Sequence, residues 1–297
     1  CNRDRLVSQG QRTQKQLSKN ELKEMLDKLK DCPIDTIKFE GISEPFLHPQ
    51  FDVLSSILRE YFPNAFLIIA TNLQHKALEE TPFFRTLPIV DMVYLSIDGT
   101  KELYEKLRKG ASYNLLLNNL EKIKEQITTE ESSKKLFINF TATEENYLEI
   151  PKMYHLQEEY KLAGIRINLA QEWTEGVVNP YQFSDRLLNY LKEYKSDVKG
   201  VAGWEYKECF WPFSAAMIDV YGDVRQCIIN TSQKPLFNIF NDDFKTSFNN
   251  HPHYKEVREK LSSNCPPECC KTCDYHHLSP LLMKVLGGKH LVNKPRK

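Results

Sequence analysis

The chain has 297 residues, 41% hydrophobic and 27% charged, so it is long enough for one large globular domain, with or without a smaller second one. Lys plus Arg and Asp plus Glu both number 40, and this balance argues against nucleic acid or an anionic membrane as a partner. We expect no membrane span and no signal peptide, because no apolar run approaches the necessary ~20 residues, and we therefore predict a reducing cytoplasm as the location.

Helices and strands alternate over the first two thirds of the chain. Ser18 and Glu21 have the spacing of a capping box, which predicts a first helix that ends near Asp31. Strands are predicted over 36–39, 66–70, 136–143 and 165–170, and one more within 92–99. Helices are predicted over 51–61, 77–86, 101–126 (one helix or two), 146–162 and 184–194. The alternation, with an almost wholly apolar strand at 66–70, predicts a parallel α/β sheet, either a barrel or doubly wound, with ligands at the strands' C-terminal ends.

The composition changes at about residue 200. The remaining chain is richer in Cys, Pro, Asn and aromatic residues, and its helical periodicity is weak until 253–261. We place a domain boundary between 197 and 205, which divides the chain into domains over 1–200 and 201–297.

Six of the eight cysteines lie in this second region, and two of them form a Cys-x-x-Cys pair. They are Cys209, Cys227, Cys265, Cys269, Cys270 and Cys273. A strand over 218–221 that turns at Gly222 would return Cys227 beside Cys209. Four thiolates suffice for tetrahedral zinc or for a four-iron cluster. Free core cysteines or a disulfide are the alternatives, and six cysteines leave the choice of ligands open.

The order of motifs resembles that of radical S-adenosylmethionine enzymes with a C-terminal SPASM or shorter twitch domain. Cys1 is similar to the third cysteine of the family's Cys-x3-Cys-x2-Cys loop, so the first strand and two cluster ligands would precede it. The stretch 41–45, Gly-Ile-Ser-Glu-Pro, resembles the family's Gly-Gly-Glu-Pro. Thr71 and Asn72 resemble its Thr-Asn-Gly, with Leu73 in place of the glycine. Cys209-x12-Gly222-x4-Cys227 resembles the spacing of the SPASM pattern.

This resemblance implies a partial (β/α)6 TIM-like barrel followed by a small Cys-rich domain. It also implies a set of residues that bind S-adenosylmethionine, which are Gly41, Ser43, Glu44, Thr71, Asn72, Ser96, Asp98, Arg108 and Asn146. Cys1 would be a ligand of the radical-generating 4Fe-4S cluster. Cys209, Cys227, Cys270 and Cys273 would hold one auxiliary 4Fe-4S cluster, with Cys265 and Cys269 as the next candidates.

The implied activity is that of a radical enzyme, an oxidoreductase or an epimerase or maturase. A 5′-deoxyadenosyl radical would abstract hydrogen from a small sugar or cyclitol or from a peptide, with electrons from a donor such as flavodoxin or ferredoxin. Candidates for substrate contact are Gln171 and Glu172 after the strand at 165–170, and Arg166 and Asn168, which share one face of that strand.

A competing hypothesis is a non-catalytic scaffold whose cysteines hold structural zinc or a cluster and whose barrel binds a partner. A zinc-dependent hydrolase has little support, because no His-Glu pair has the helical spacing of zinc ligands.

Overall fold

A computed structural model describes most of the chain. The described residues are 15–39, 44–127, 134–171, 181–198, 209, 211–228, 234–263, 265–271, 281 and 285. The chain divides into two compact units, residues 1–26 with 32–167, and residues 27–31 with 168–297. We call them the sheet unit and the cysteine-rich unit. The predicted domain boundary near residue 200 stays a prediction.

A five-stranded sheet with the order β1-β2-β3-β4-β5 forms the centre of the first part of the chain. Its strands are β1 (Thr36–Lys38), β2 (Phe66–Thr71), β3 (Met92–Ser96), β4 (Leu136–Ala142) and β5 (Gly164–Leu169). β1 to β4 pair in parallel, and β5 lies beside β4. The strand predicted within 92–99 ends at Ser96, and the other four strands lie within one residue of their predicted bounds, so the predicted α/β fold is confirmed.

The two faces of the sheet differ in burial, as the alternation of side chains along a strand requires. One face is apolar and buried, with Leu67, Ile69, Val93, Leu95, Ile138, Phe140 and Ile167 at 0 to 1% exposure. The other face is half-buried and carries Tyr94, Ser96, Asn139, Thr141 and Arg166. Polar groups are therefore concentrated on one face, which we call the open face.

Six helices accompany this sheet among the described residues. They are α1 (Lys19–Leu29), α2 (Phe51–Tyr61), α3 (Phe83–Thr86), α4 (Lys101–Leu107), α5 (Tyr113–Gln126) and α6 (Ile150–Glu159). The predicted capping box of α1 is present, because Glu21 N donates to Ser18 Oγ at 3.3 Å and Ser18 N donates to Glu21 Oε2 at 2.9 Å. Lys15 and Ser18 together lower the pKa of Glu21 to about 2.

Two predicted helices are interrupted. The helix predicted over 77–86 is a 3₁₀ turn (Leu78–Glu80) followed by α3, because Pro82 has no N–H donor with which to continue a helix. The stretch 101–126 forms the two helices α4 and α5, which are separated at Gly110, whose φ is 83°. The helix predicted from residue 146 begins as a 3₁₀ turn (Tyr147–Glu149), after which α6 starts at Ile150 with Pro151 as its second residue.

The cysteine-rich unit contains short elements. They are α7 (Asp185–Leu191), α8 (Trp211–Ser214), β6 (Met217–Ile218), β7 (Asp223–Arg225), β8 (Phe237–Asn238), α9 (Phe244–Asn250), α10 (Pro252–Ser262) and α11 (Glu268–Lys271). β6, β7 and β8 form an antiparallel sheet. The strand predicted over 218–221 ends at Ile218, because Asp219 Oδ1 accepts from Tyr221 N at 2.9 Å and starts the turn. Within the described part of the chain, no helix is long and apolar enough to cross a membrane.

Candidate functional site

The segment after β1 is joined to the end of β2 by a buried carboxylate. Glu44 Oε1 accepts from Thr71 Oγ1 at 2.7 Å, and Glu44 Oε2 accepts from the Asn72 backbone N–H at 2.8 Å. His75 Nε2 lies 3.3 Å from Glu44 Oε1, and both side chains are less than a tenth exposed. Three predicted cofactor-binding residues therefore lie together here. The Glu44 carboxylate already accepts hydrogen bonds from the end of β2, so it holds these two segments together.

Leu73 adopts the backbone conformation that glycine adopts most cheaply. Its φ is 53°, and its side chain is fully buried. Leu73 N donates to Thr71 Oγ1 at 3.1 Å, and the Leu73 carbonyl accepts from Asn119 Nδ2 at 2.8 Å. The chain thus keeps a glycine-like turn after β2 although it has leucine at that position.

A second polar cluster joins the end of β3 to the end of β4. Asp98 Oδ1 accepts from Thr141 N at 2.7 Å, and Asp98 Oδ2 lies 2.7 Å from an Arg108 guanidinium nitrogen. Asn146 Nδ2 donates to the Asp98 and Thr141 carbonyls, both at 2.9 Å, and Asn146 is 1% exposed. The buried Arg108 Nε has no hydrogen-bond partner among the residues that the structure describes. Three further predicted residues, Asp98, Arg108 and Asn146, therefore lie together. Arg108 Nε–H is the donor that could bind a ligand.

The open face of the sheet carries the other predicted contacts. Ser96 pairs in register with Asn139. The Arg166 guanidinium carbon lies 5.0 Å from the centre of the Tyr94 ring, close enough for a cation–π contact. Asn168 is two residues further along the same face of β5, and both residues are half-buried.

Gln171 follows β5 and is half-buried. Its Nε2 is buried and has no hydrogen-bond partner within the described ranges. Gly41, Ser43, Glu172, Cys1 and Cys273 lie outside the described residues, as does the side chain of Cys269. The predicted roles of all these residues stay predictions.

Sequence reasoning missed several polar residues of these clusters. His75 and Thr141 contact the motif residues Glu44 and Asp98 directly. Tyr94 and Asn139 lie on the open face. For the last two, the period-two alternation of β3 and β4 was the available signal, because Tyr94 and Ser96 share one face of β3 and the register then selects Asn139. His75 had only the weak signal of lying within four residues of Thr71.

The predicted cysteine ligands lie at the ends of short elements. Cys209 precedes α8, Cys227 follows β7 and is 8% exposed, and Cys270 lies in α11. In the hairpin of β6 and β7, Arg225 pairs with Met217 at the start of β6. Cys209 and α8 precede β6 in the chain. Burial raises the pKa of the Cys209 thiol, while the Trp211 backbone N–H opposes that rise.

The surroundings of these thiols suit a thiolate-bound metal. Gln226 is 4% exposed, and its Nε2 donates to Cys270 Sγ at 3.6 Å. A donor aimed at sulfur stabilises the thiolate, the form that binds metal. Within the described residues no group of three or more His, Cys, Asp or Glu has the arrangement of a metal site. The thiols have the donor chemistry that a cluster requires, but the structure does not bring Cys209, Cys227 and Cys270 together as one metal site. The choice of ligands therefore stays a prediction.

Among known protein families, one matches the C-terminal segment of the chain. Residues 209–274 match the SPASM family, an iron-sulfur cluster-binding domain. This segment contains all six C-terminal cysteines. No curated protein matches the chain.

Solved structures show the same fold. SuiB of Streptococcus suis matches with a TM-score of 0.60 and 19% identity, over 80% of this chain and 61% of SuiB. BtrN in complex with AdoMet and 2-DOIA matches with a TM-score of 0.53 and 14% identity, over 89% of this chain and 82% of BtrN. The protein anSMEcpe with bound AdoMet and Cp18Cys peptide matches with a TM-score of 0.58 and 15% identity, over 94% of this chain and 83% of anSMEcpe. The chain thus spans less than two thirds of SuiB.

These matches define the class of fold, the partial barrel of radical S-adenosylmethionine enzymes. Within that class, the chain has a C-terminal SPASM domain, as the spacing of Cys209, Gly222 and Cys227 predicted. The resemblance drawn from the motifs is confirmed at this level.

Proposed function

We propose that the protein generates a 5′-deoxyadenosyl radical from S-adenosylmethionine and uses it to abstract hydrogen from a bound substrate. One observation carries this proposal. A sheet with the radical S-adenosylmethionine fold precedes a segment that matches an iron-sulfur cluster-binding domain. Two of the similar structures, BtrN and anSMEcpe, contain AdoMet. S-adenosylmethionine supplies the radical chemistry when bound, so the chain's own task is binding, orientation and exclusion of water.

The two polar clusters at the ends of β1 to β4 support a cofactor site at this edge. Glu44 holds the corner between β1 and β2, so it would position the neighbouring backbone instead of contacting the cofactor through its carboxylate. Arg108 has a buried Nε–H that suits a carboxylate or hydroxyl of S-adenosylmethionine. Ser96 and Asn72 complete the proposed contacts. Asn146 is buried and its amide is already engaged, so it would position the neighbouring backbone as Glu44 does. Cys1 would contribute to the radical-generating 4Fe-4S cluster.

The open face suits a polar substrate. Arg166 and Asn168 offer donors on one face of β5, and Tyr94 presents an aromatic ring to Arg166. Gln171 has a buried amide donor. Similar structures contain a small molecule (BtrN with 2-DOIA) or a peptide (anSMEcpe with Cp18Cys peptide), so both substrate classes belong to the proposal. We favour the small polyhydroxylated molecule, because a single auxiliary cluster implies a compact C-terminal domain.

The C-terminal cysteines would bind one auxiliary 4Fe-4S cluster, through Cys209, Cys227, Cys270 and Cys273. That cluster would either accept the electron left on the substrate radical, which gives net oxidation, or bind the substrate. An external donor of the flavodoxin or ferredoxin class, in the cytoplasm, would supply the initiating electron.

The test is reductive cleavage of S-adenosylmethionine by the full-length protein. Anaerobically loaded protein is reduced with dithionite, and 5′-deoxyadenosine is measured by liquid chromatography and mass spectrometry. We expect it to form only when reductant is present. Cluster-loaded protein that forms none would contradict the proposal and favour the non-catalytic scaffold.

A variant tests the role of Arg108 separately. Arg108→Lys keeps a positive charge beside Asp98 but removes the Nε–H, and loss of one charge-assisted hydrogen bond predicts about tenfold weaker S-adenosylmethionine binding by calorimetry. Lys106→Met, at an exposed position of α4 two residues before Arg108, is the control and should leave that affinity unchanged. Equal affinities in the two variants would remove Arg108 from the cofactor site.

A further inference from the structure

Gln226 connects a predicted cluster ligand to a histidine. It lies between β7 and Cys227 and is 4% exposed. Its Nε2 donates to Cys270 Sγ at 3.6 Å, and its Oε1 lies 2.6 Å from His253 Nε2. No motif singled it out, since it is one of the four unspecified positions between Gly222 and Cys227.

The chemistry of the three groups permits one orientation of the Gln226 amide. A thiolate only accepts hydrogen bonds, so the NH₂ end must face Cys270. The carbonyl end then faces His253, whose Nε2 must carry a proton and donate it. Burial lowers the pKa of His253, which favours the neutral imidazole, and the contact with Gln226 Oε1 then requires the proton at Nε2. His253 N also donates to His251 Nδ1 at 3.2 Å, which fixes the backbone at the start of α10.

The backbone next to Gln226 is held as well. The Arg225 carbonyl accepts from the hydroxyl of Tyr254 at 3.4 Å, and Tyr254 is fully buried. Gln226 therefore contacts His253, and the preceding residue Arg225 contacts Tyr254, the next residue of α10. A side chain held at both ends loses little freedom when it makes its hydrogen bond, so the donor is preorganised toward Cys270 Sγ.

We propose that Gln226 is a positioning residue of the auxiliary cluster, whose amide N–H raises the cluster's reduction potential through Cys270, and that His253 orients this amide. This inference rests on the proposed function, because it requires Cys270 to be a cluster ligand. The physical reason is charge. Reduction adds an electron to the cluster and its sulfurs, and a hydrogen-bond donor at sulfur stabilises the more negative state.

The experiment is a redox titration of the anaerobically loaded protein, monitored by electron paramagnetic resonance. The auxiliary signal is identified by its loss in Cys227→Ala. Gln226→Met keeps the length of the side chain and removes the donor. We expect the reduction equilibrium to shift about tenfold toward the oxidised cluster, which is about 59 mV for one electron. Asn249→Met, which likewise removes an amide donor but at an exposed position on α9, is the control and should leave the potential unchanged.

Two further readouts separate this role from a merely structural one. Electron–nuclear double resonance in H₂O and D₂O should show an exchangeable proton coupled to the reduced wild-type cluster and weaker coupling in Gln226→Met. His253→Phe should shift the potential in the same direction by a smaller amount. If Gln226→Met does not load, His253→Phe decides, and an unchanged potential there overturns the inference.

The failures of the two proposals differ. A wild-type chain that binds zinc without sulfide would overturn the auxiliary cluster and this inference with it. Equal iron and sulfide content, equal potentials and equal proton coupling in the wild type and Gln226→Met would overturn the inference alone.

Discussion

The sheet unit and the cysteine-rich unit build their candidate sites in different ways. In the sheet unit, the Glu44 and Asp98 carboxylates and the Asn146 amide already hydrogen-bond within the protein. In the cysteine-rich unit, the sheet consists of strands of two, three and two residues, shorter than the usual ~5–6, and the candidate ligands are thiols. The first site is therefore assembled by the chain alone, whereas we expect the second to depend on a bound metal for its stability.

The largest effect should come from a predicted ligand in the cysteine-rich unit. We expect Cys227→Ala to lose most of its iron and sulfide, because Cys227 is a buried predicted ligand and its removal leaves the proposed cluster with three thiolates. Cys265→Ala, at an exposed cysteine, should retain both. Elemental analysis of the two purified variants makes the comparison. Loss of iron from Cys265→Ala with retention in Cys227→Ala would reverse our choice of ligands.

In the sheet unit, Asp98→Ala should lower the free energy of unfolding by about 3 kcal/mol, because it leaves the Arg108 charge and the Thr141 N–H without their partner. The control is Glu145→Ala, which removes an exposed pair with Lys106 and should cost less than about 1 kcal/mol. Urea denaturation followed by circular dichroism measures both. Similar losses in the two variants would show that the Asp98 cluster does not stabilise this edge of the sheet.

Gly222 and Gly110 offer a matched pair, one in each unit. Both have positive φ, 80° and 83°. A Cβ at Gly222 would lie 2.5 Å from the Phe240 ring, whereas a Cβ at Gly110 would meet nothing within 4 Å. We expect Gly110→Ala to cost about 1 kcal/mol from the backbone alone, and Gly222→Ala about 2–3 kcal/mol from backbone and collision together.

Urea denaturation can measure the two glycine variants separately. Trp211 lies in the cysteine-rich unit, so tryptophan fluorescence is the probe for Gly222→Ala, while circular dichroism follows Gly110→Ala. Equal losses of unfolding free energy in the two variants would mean that the Phe240 ring moves aside at no energetic cost.

The smallest effect concerns Leu73. A glycine variant is usually less stable than an alanine variant, and at this position we expect the opposite order. Both Leu73→Ala and Leu73→Gly lose a buried side chain, which costs about 2–5 kcal/mol. Alanine keeps the strain of φ 53°, and glycine does not, so Leu73→Gly should be more stable than Leu73→Ala by about 0.5–1 kcal/mol. The same denaturation experiment tests this order. Greater stability of the alanine variant would show that the turn after β2 relaxes when the leucine is removed.

The strands were predictable because their signal is local. β3 was predicted within 92–99 and the other strands to within a residue, since each is a short stretch with buried apolar positions between polar loops. The single helix predicted over 77–86 was wrong. The prediction used the spacing of apolar residues and did not take into account that Pro82 interrupts the helix. α9 was missed because its sequence, Phe-Lys-Thr-Ser-Phe-Asn-Asn, contains weak helix formers, and its start depends on Asp243 capping Thr246 N.

The site was predictable where motifs carry it. Glu44, Thr71 and Asn72 lie together, as do Asp98, Arg108 and Asn146, because each motif follows a strand of one parallel sheet. His75 and Gln226 were not predictable. Their contacts join residues 31 and 44 positions apart in the chain, and only the packed structure brings them together.

The central claim is that the C-terminal cysteines hold an iron-sulfur cluster, and the most direct measurement is the iron, acid-labile sulfide and zinc content of the chain purified anaerobically. We predict about four iron and four sulfide per chain for one cluster, with little zinc. Stoichiometric zinc without sulfide would contradict the claim and leave a zinc-binding scaffold as the function that fits this fold.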